Sequence, residues 1–391
     1  MPSHDSGDTA APASGNGRPA ICLNMIVRDE AHVVREVLNA VAPFISSWVI
    51  VDTGSEDGTQ DVVRAHMAGL GIPGELYERP WKNFGHNRSE ALALAQGRGD
   101  YIWVIDADDM VFGTPDFDGL TAGVYALSYG THFRYWRPQL FRDGLPWRYV
   151  GVVHEYATCD EPYVEDRLHG EYHLESRRLG SRNLDPKKYE RDRDLLLAEV
   201  ERDPSDVRSM FYLAQSCFDL GDYNTARYWY ARRAEETSGF VEEIYFSLFR
   251  LAETLAHLGA PWQEVQDAYL RAWECRPTRA EPLFAIAHHY RTEERYHLGY
   301  LFAEQAARIP LPELDVLFIH AEVYAWSALD ELAVCASWIG RNDQALAIFE
   351  WLLTKDCLPD EDRNRISANR DFCADRLAEL DAAQQLQTTG N

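Results

Sequence analysis

The stretch Tyr101-Ile102-Trp103-Val104-Ile105-Asp106-Ala107-Asp108-Asp109 is an apolar run that stops abruptly in carboxylates. Such a run reads as a buried strand, and in an open α/β sheet a buried strand delivers its last residues to the carboxyl edge, where these folds place ligands. On an extended backbone Asp106 and Asp108, two residues apart, share a side. Carboxylates so placed suit Mg²⁺ or Mn²⁺, hard cations that prefer oxygen and can hold a diphosphate at the same time. Aspartates are also ordinary turn formers after a strand, so the neighbouring sequence has to decide.

Upstream, residues 21–27 are apolar, 30–42 have helical spacing and 48–51 form a second short buried run. The turn Asp52-Thr53-Gly54-Ser55-Glu56-Asp57-Gly58-Thr59 leads into a helix from about Gln60. A strand at 76–78, the segment Trp81-Lys82-Asn83-Phe84-Gly85-His86-Asn87-Arg88 and a helix at 89–96 then precede the acidic strand. Alternation of this kind predicts a parallel α/β sheet with three polar strand ends facing one crevice. Downstream, aromatic β-prone pieces at 123–129, 132–136 and 147–153 suit an acceptor-binding half.

Beyond Asp185 the chain turns helical and carries a loose repeat. Leu213-Ala214, Gly221, Tyr223, Ala226 and Tyr230 are echoed by Leu251-Ala252, Gly259, Val265, Tyr269 and Ala272. Further copies begin at Ile286-Ala287 and Leu332-Ala333. Small residues at these offsets let antiparallel helices pack in pairs, as in tetratricopeptide repeats. The unequal copy lengths leave an irregular bundle as the alternative. The expected division is a disordered tail at 1–20, an α/β domain at 21–185, helical repeats at 186–380 and a disordered tail at 381–391.

The chain has 391 residues, 46% hydrophobic, enough for two domains with a sizeable core. A net charge of −25 disfavours nucleic acid as a partner, since phosphates would be repelled. Seven scattered cysteines without C-x-x-C spacing read as reduced thiols of a cytoplasmic protein, and no apolar run is long enough for membrane insertion.

Asn24-Met25-Ile26-Val27-Arg28-Asp29-Glu30, the 51–59 turn, Phe84-Gly85-His86-Asn87-Arg88 and Asp106-Ala107-Asp108-Asp109 resemble, in this order and spacing, the inverting family 2 glycosyltransferases of the GT-A fold. That fold is a Rossmann-like nucleotide-sugar-binding α/β domain. The resemblance covers residues 21–185. With the tetratricopeptide-like region behind it, the chain is similar to a branch that includes peptide and protein glycosyltransferases.

The resemblance implies a UDP-sugar donor, with Asp52 on the uracil ring, Val27, Arg28 and Glu30 near the nucleoside, and Arg88 facing the nucleotide. Asp106 would meet the ribose or the metal, and Asp108 the Mn²⁺ or Mg²⁺ on the diphosphate. Arg142, in Gln139-Leu140-Phe141-Arg142, is a candidate second phosphate partner. Inverting transfer also needs a general base. Trp147-Arg148-Tyr149-Val150-Gly151-Val152-Val153-His154-Glu155 resembles the family's Glu-Asp element, but the pair here reads His-Glu, so both Glu155 and His154 are candidates. Trp147, just before this pair, is an acceptor-side candidate, and His173 matches a late histidine used as a third metal ligand.

The expected acceptor is a protein or peptide, because stacked helix pairs form a concave surface for extended chains. A glycan, lipid-linked or nucleic-acid acceptor and an inactive tetratricopeptide scaffold are the alternatives. Neither the sugar nor the linkage atom is written in the sequence.

Overall fold

The computed structural model describes residues 18–131 and 133–389; the tail expected at 1–20 lies, to residue 17, outside the described residues. Two units emerge. The first holds the chain to Ser128 together with Pro138–Val150 and Tyr156–Ser181; the second holds Tyr129–Arg137, Gly151–Glu155 and Arg182–Asn391. Instead of one boundary at 185, two short excursions of the chain belong with the C-terminal unit. Among the described residues no helix is long and apolar enough to cross a membrane.

The first unit opens with alternating elements: β1 (Ile21–Val27), α1 (Val34–Val41), β2 (Ser47–Asp52), α2 (Thr59–Leu70), β3 (Gly74–Glu78), α3 (Phe84–Ala95) and β4 (Tyr101–Val104). β1, β2 and β4 are buried almost throughout, so they read as continuous apolar runs rather than alternating ones. They pair in parallel in the order β3-β2-β1-β4, with Val27 opposite Asp52, Asp52 opposite Glu78, and Asn24 opposite Val104. That register sets the ends of all four strands on one carboxyl edge.

After β4 the chain builds β5 (Asp109–Pro115), β6 (Val124–Tyr129), β7 (Phe133–Arg142), the hairpin β8 (Arg148–Val150) and β9 (Tyr156–Thr158), β10 (Glu165–Arg167) and β11 (Gly170–Ser176). The sheet continues as β4-β7-β6-β11-β5, with β7 antiparallel to β4 and β11 antiparallel to β5.

Local chemistry explains where the elements depart from expectation. α3 starts at Phe84 instead of 89 because the Asn83 side chain caps it, accepting the His86 N–H at 2.8 Å. Asn87, fully buried, accepts from Lys82 N–H and donates to the Pro80 carbonyl, fixing the loop before the helix. Asn24 Nδ2 donates to the carbonyls of Val49 and Ala91 and so ties β1 to β2 and α3. Both motif asparagines are structural.

In the second unit a short α4 (Ser181–Leu184) leads to α5 (Lys188–Arg202), α6 (Val207–Asp219), α7 (Tyr223–Glu235), α8 (Val241–His257), α9 (Trp262–Cys275), α10 (Glu281–Thr292), α11 (Tyr296–Arg308), α12 (Ala328–Trp338), α13 (Asn342–Leu353) and α14 (Asp360–Thr389). Residues 381–389, expected as a disordered tail, continue α14. The repeat positions do what their size allows: Ala214, Ala226, Ala252, Ala272, Ala287, Ala303, Ala333 and Ala345 are all fully buried. Gly221, Gly259 and Gly340 end the first helix of their pairs at φ +75°, +69° and +83°, the left-handed region where glycine is unstrained. The repeats are tetratricopeptide-like helical pairs. Tyr230 and Tyr245 fill the core, while Tyr228, Trp338 and Trp351 are exposed.

Between α11 and α12 residues 309–320 leave helix and are held by buried charge, before a π-helical turn at Val323–Ser327 leads into α12. Arg279, 1% exposed, donates to Glu281, to Asp315 and to the carbonyls of Leu317 and Phe318. Glu242 accepts the N–H groups of Val316 and Leu317. This clamp presents β12 (Ile319–His320) to the first residues of β7.

Candidate active site

At the carboxyl edge the loops after β1 and β2 are tied together by their own polar residues. Asp29, at φ +56°, donates its N–H to Ser55 Oγ at 2.8 Å and accepts the Glu56 N–H at 2.7 Å. The Glu30 N–H reaches Thr59 Oγ1, and the Ala31 N–H reaches Asp57 Oδ2. Hydroxyls and carboxylates satisfy backbone donors that a tight turn would otherwise leave open.

Asp52 ends β2 and is 1% exposed. Its Oδ1 accepts from Gly54 N–H (3.0 Å), Ser55 N–H (2.9 Å) and Gln60 Nε2 (3.1 Å). Its Oδ2 is buried and has no donor. Asp52 lines a cavity of about 350 Å³ with Gln60, Glu78, Arg79 and Pro80 among its other walls. Val27, 3% exposed, lends its carbonyl to the N–H and hydroxyl of Thr53. Arg28 points outward beside Asp29 at 3.8 Å, over half exposed.

Arg88, from the first turns of α3, is 5% exposed and donates through Nη2 to Asp106 Oδ1, with Tyr149 beneath its guanidinium at 5.8 Å. The extended arrangement expected for Asp106 and Asp108 is not what forms. β4 stops at Val104, and 106–109 is a turn in which the Asp109 N–H meets the Asp106 carbonyl. A turn, not strand alternation, sets the two carboxylates.

The segment 177–181, after β11, straps across these acids. Gly180 N–H donates to Asp108 Oδ2 at 2.9 Å, Ser181 N–H to Glu30 Oε1 at 3.1 Å, and Arg177 donates to the Asp108 carbonyl and to Glu36. Gly180 is a close-approach glycine: a Cβ there would lie 3.0 Å from Glu30 Oε1 and 3.1 Å from Asp108 Oδ2. Glu30 Oε2 is buried without a donor. Burial, and secondarily the Asp108 charge, push the Glu30 pKa up to about 7 against the Ser181 N–H that lowers it. Gln60, Arg177, Gly180 and Ser181 were not singled out from sequence. The one available signal was the Gly-Ser pair closely following a strand.

An oxygen-rich, mutually repelling pair such as Glu30 and Asp108 is the chemistry a hard cation relieves, and it fits Mg²⁺ or Mn²⁺. Among the described residues, however, no three His, Cys, Asp or Glu side chains are gathered into a site able to hold a metal ion. Such an ion would therefore rely on Asp106 or Asp108 and on ligands from the donor phosphates.

Three expected participants lie elsewhere. His173 sits on β11 opposite Phe112, stacked on that ring at 5.1 Å and 3.5 Å from Glu175. Asp109 pairs with Ser176, so His173 is three residues, about 10 Å of strand, away from the acidic turn. Arg142 pairs with Tyr101, the start of β4. Because β7 runs antiparallel, Arg142 is exposed at the edge opposite the carboxylates, where it donates to the Thr121 carbonyl. Trp147 is buried, packs on Phe141 and Tyr163 at 5.1 and 4.7 Å and donates Nε1 to the Arg142 carbonyl, so it is core.

His154 and Glu155 belong to the second unit, in a tight loop that needs Gly151 at φ +110°, since a Cβ there would come within 3.2 Å of Glu155 Cα. His154 adopts φ +52°, stacks on Tyr212 at 4.0 Å and receives Arg208 Nε on its carbonyl at 3.2 Å. Desolvation and the charges of Arg182, Arg208, Lys188 and Arg137 lower its pKa. The residue keeps an exposed face, so the surrounding cations are the firmer cause of that direction. A histidine so surrounded resists taking up a proton.

Residues 23–114 match the family model described as Glycosyl transferase family 2. A TPR repeat-containing protein of Synechococcus elongatus is 35% identical over 96 residues, covering 24% of this chain and 22% of that protein. The SPbeta prophage-derived glycosyltransferase SunS of Bacillus subtilis is 29% identical over 93 residues, 24% of this chain and 21% of its own. The chain thus spans about a fifth of the length of these relatives. Among solved structures, BtubC from P. vanneervenii has a TM-score of 0.37 at 15% identity, covering 52% of this chain and 92% of BtubC. A tetratricopeptide repeat protein from Parabacteroides merdae has a TM-score of 0.37 at 16% identity, covering 53% of this chain and 75% of its own.

Proposed function

We propose that this chain, whose residues 23–114 match the family 2 glycosyltransferase model, is a metal-dependent inverting glycosyltransferase that moves a sugar from a UDP-sugar to a protein or peptide. The observation that carries the reading is Asp52: a buried carboxylate with one saturated and one donorless oxygen, on a residue that lines a cavity at the carboxyl edge of a parallel sheet. Apolar pockets are common, but a buried acceptor left without a donor on a residue that lines one calls for a ligand N–H.

In this reading Asp108, with Asp106, would hold Mn²⁺ or Mg²⁺, and the ion would supply Lewis-acid stabilisation of the charge that develops on the donor diphosphate. Arg88 fixes Asp106. The acceptor's nucleophile bonds to the anomeric carbon as the carbon–oxygen bond to the diphosphate breaks, and its proton passes to Glu155. The tetratricopeptide-like repeats, with exposed Tyr228, Trp338 and Trp351, support a polypeptide acceptor. Seven free cysteines suit a cytoplasmic setting.

The test is nucleotide release from a panel of UDP-, GDP- and dTDP-sugars with Mn²⁺, Mg²⁺ or EDTA. Metal-dependent release from a UDP-sugar, lost in Asp108→Ala, is the expected result. No release, together with no thermal stabilisation by any nucleotide, overturns the reading. Stabilisation without release directs the search to the acceptor, and Glu155→Gln then has to abolish transfer while leaving nucleotide binding intact.

A further inference from the structure

We propose that Gln60 sets the base selectivity of the Asp52 cavity: it locks the carboxylate so that Oδ2 alone meets the ligand, and so admits bases whose recognised ring nitrogen carries a hydrogen. The inference rests on the nucleotide-sugar reading above and adds a residue that neither the family match nor the motifs assign.

Gln60 is the second residue of α2 and half-buried. Its Nε2 donates to Asp52 Oδ1 at 3.1 Å and to the Ser55 carbonyl at 3.0 Å. Both amide hydrogens are thereby used. The flipped amide would set its oxygen against two acceptors, so the network itself fixes the orientation. Gly54 and Ser55 N–H complete the set on Oδ1. Three donors on one oxygen hold the carboxylate plane and exhaust that oxygen, which leaves Oδ2, buried and donorless, as the acceptor that remains on a residue lining the cavity.

An ionised oxygen in that position discriminates by hydrogen count. The N3–H of uracil or thymine and the N1–H of guanine donate to it. Cytosine N3 and adenine N1 instead bring a lone pair against a lone pair, and a site built for a donor strongly rejects a ligand that lacks one. Without Gln60 the carboxylate turns more freely, Oδ1 becomes available, and both oxygens can adapt to exocyclic amines. Selectivity should then fall more than folding stability does.

The experiment measures affinities of UDP, CDP, GDP and ADP, with Mn²⁺ present, for the full chain and for Gln60→Leu and Gln60→Glu. The wild type should prefer UDP to CDP and GDP to ADP. In Gln60→Leu the UDP affinity should fall about ten-fold, the worth of one hydrogen bond to a charged group, while CDP changes little and the ratio collapses. In Gln60→Glu two carboxylates face each other at about pH 8 and UDP binding weakens; at about pH 5 the introduced carboxyl, once protonated, can donate to Oδ1 and restore it. That pH-dependent rescue is not expected of a merely structural role. A folded Gln60→Leu with the wild-type UDP:CDP ratio overturns the inference alone. A wild type that binds none of the four nucleotides overturns the nucleotide-sugar reading and this inference with it.

Discussion

Replacing Gly180 by alanine tests whether the strap over the acidic turn is held by its close approach. The backbone there is not left-handed, so alanine carries no conformational penalty and any effect is steric. The added methyl would sit 3.0 Å from Glu30 Oε1, 3.1 Å from Asp108 Oδ2 and 3.2 Å from Asp108 Cγ. Either the carboxylates swing away or the strap lifts. If it lifts, Asp108 loses the Gly180 N–H and Glu30 loses the Ser181 N–H, hydrogen bonds to charged groups that contribute about 1.5–3 kcal/mol each when fully lost. A shift of a few tenths of an ångström loses only part of this, so the expected destabilisation is about 1–3 kcal/mol, as for other overpacked sites. Gly69→Ala is the control: it lies inside α2 with nothing near its Cβ and should stabilise by about 0.5–1 kcal/mol through helix propensity. Urea denaturation of both variants beside the wild type reads the difference. A Gly180→Ala protein as stable as wild type, with unaltered Mn²⁺ and UDP binding, would refute the close-approach argument.

Arg88→Met should cost about 2–3 kcal/mol, less than a fully buried pair because Asp106 keeps some water, and should weaken Mn²⁺-dependent nucleotide binding; calorimetry and denaturation check it. Arg279→Met should cost about 3–5 kcal/mol at neutral pH by leaving Glu281 and Asp315 uncompensated. Burial raises the Glu281 carboxyl, but Arg279 and the Tyr324 hydroxyl outweigh it and hold the pKa below the usual range. Its stabilising contribution is therefore complete above the unfolded pKa of about 4.5 and is lost as pH falls through the lower folded value. The gap between wild type and Arg279→Met should accordingly narrow in acid, seen as converging melting temperatures. Trp147→Phe should lower stability by about 1–3 kcal/mol and leave acceptor affinity unchanged, whereas loss of acceptor binding at wild-type stability would restore the acceptor-side role.

What the sequence revealed depended on how local the deciding interactions were. β1, β2 and β4 are buried in a parallel sheet, so their apolar runs carry the signal within the run, and Asp52 and Glu30 follow because they lie at or just beyond the ends of those runs. The helical pairs were legible for a similar reason: fully buried alanines recur at the spacing of one hairpin. Arg142, His173 and Trp147 were misplaced because their positions depend on partners far along the chain. No local pattern says that Arg142 pairs with the beginning of β4, or that His173 pairs with Phe112 instead of the acidic turn. The interleaving of 129–137 and 151–155 with the helical unit is non-local in the same way.

The same distinction separates what builds the acidic edge from what it is for. Asn24, Asn87, Thr53 and Thr59 lie within the motifs, and their side chains satisfy backbone groups. Among the groups left with an unmet requirement are two buried carboxylate oxygens, Asp52 Oδ2 and Glu30 Oε2, and Arg177 Nη2 of the strap. A fold selected for stability alone would pair or remove such atoms, since each raises the free energy of the folded state. The two oxygens persist beside loops whose backbone donors are closely satisfied, one on a residue that lines the cavity and one near Asp108. An N–H donor would meet the first requirement, and a cation held by Asp108 would relieve the charge beside the second. A nucleotide carrying a divalent ion would bring both an N–H and a cation to this edge, which is what the nucleotide-release assay with and without EDTA tests.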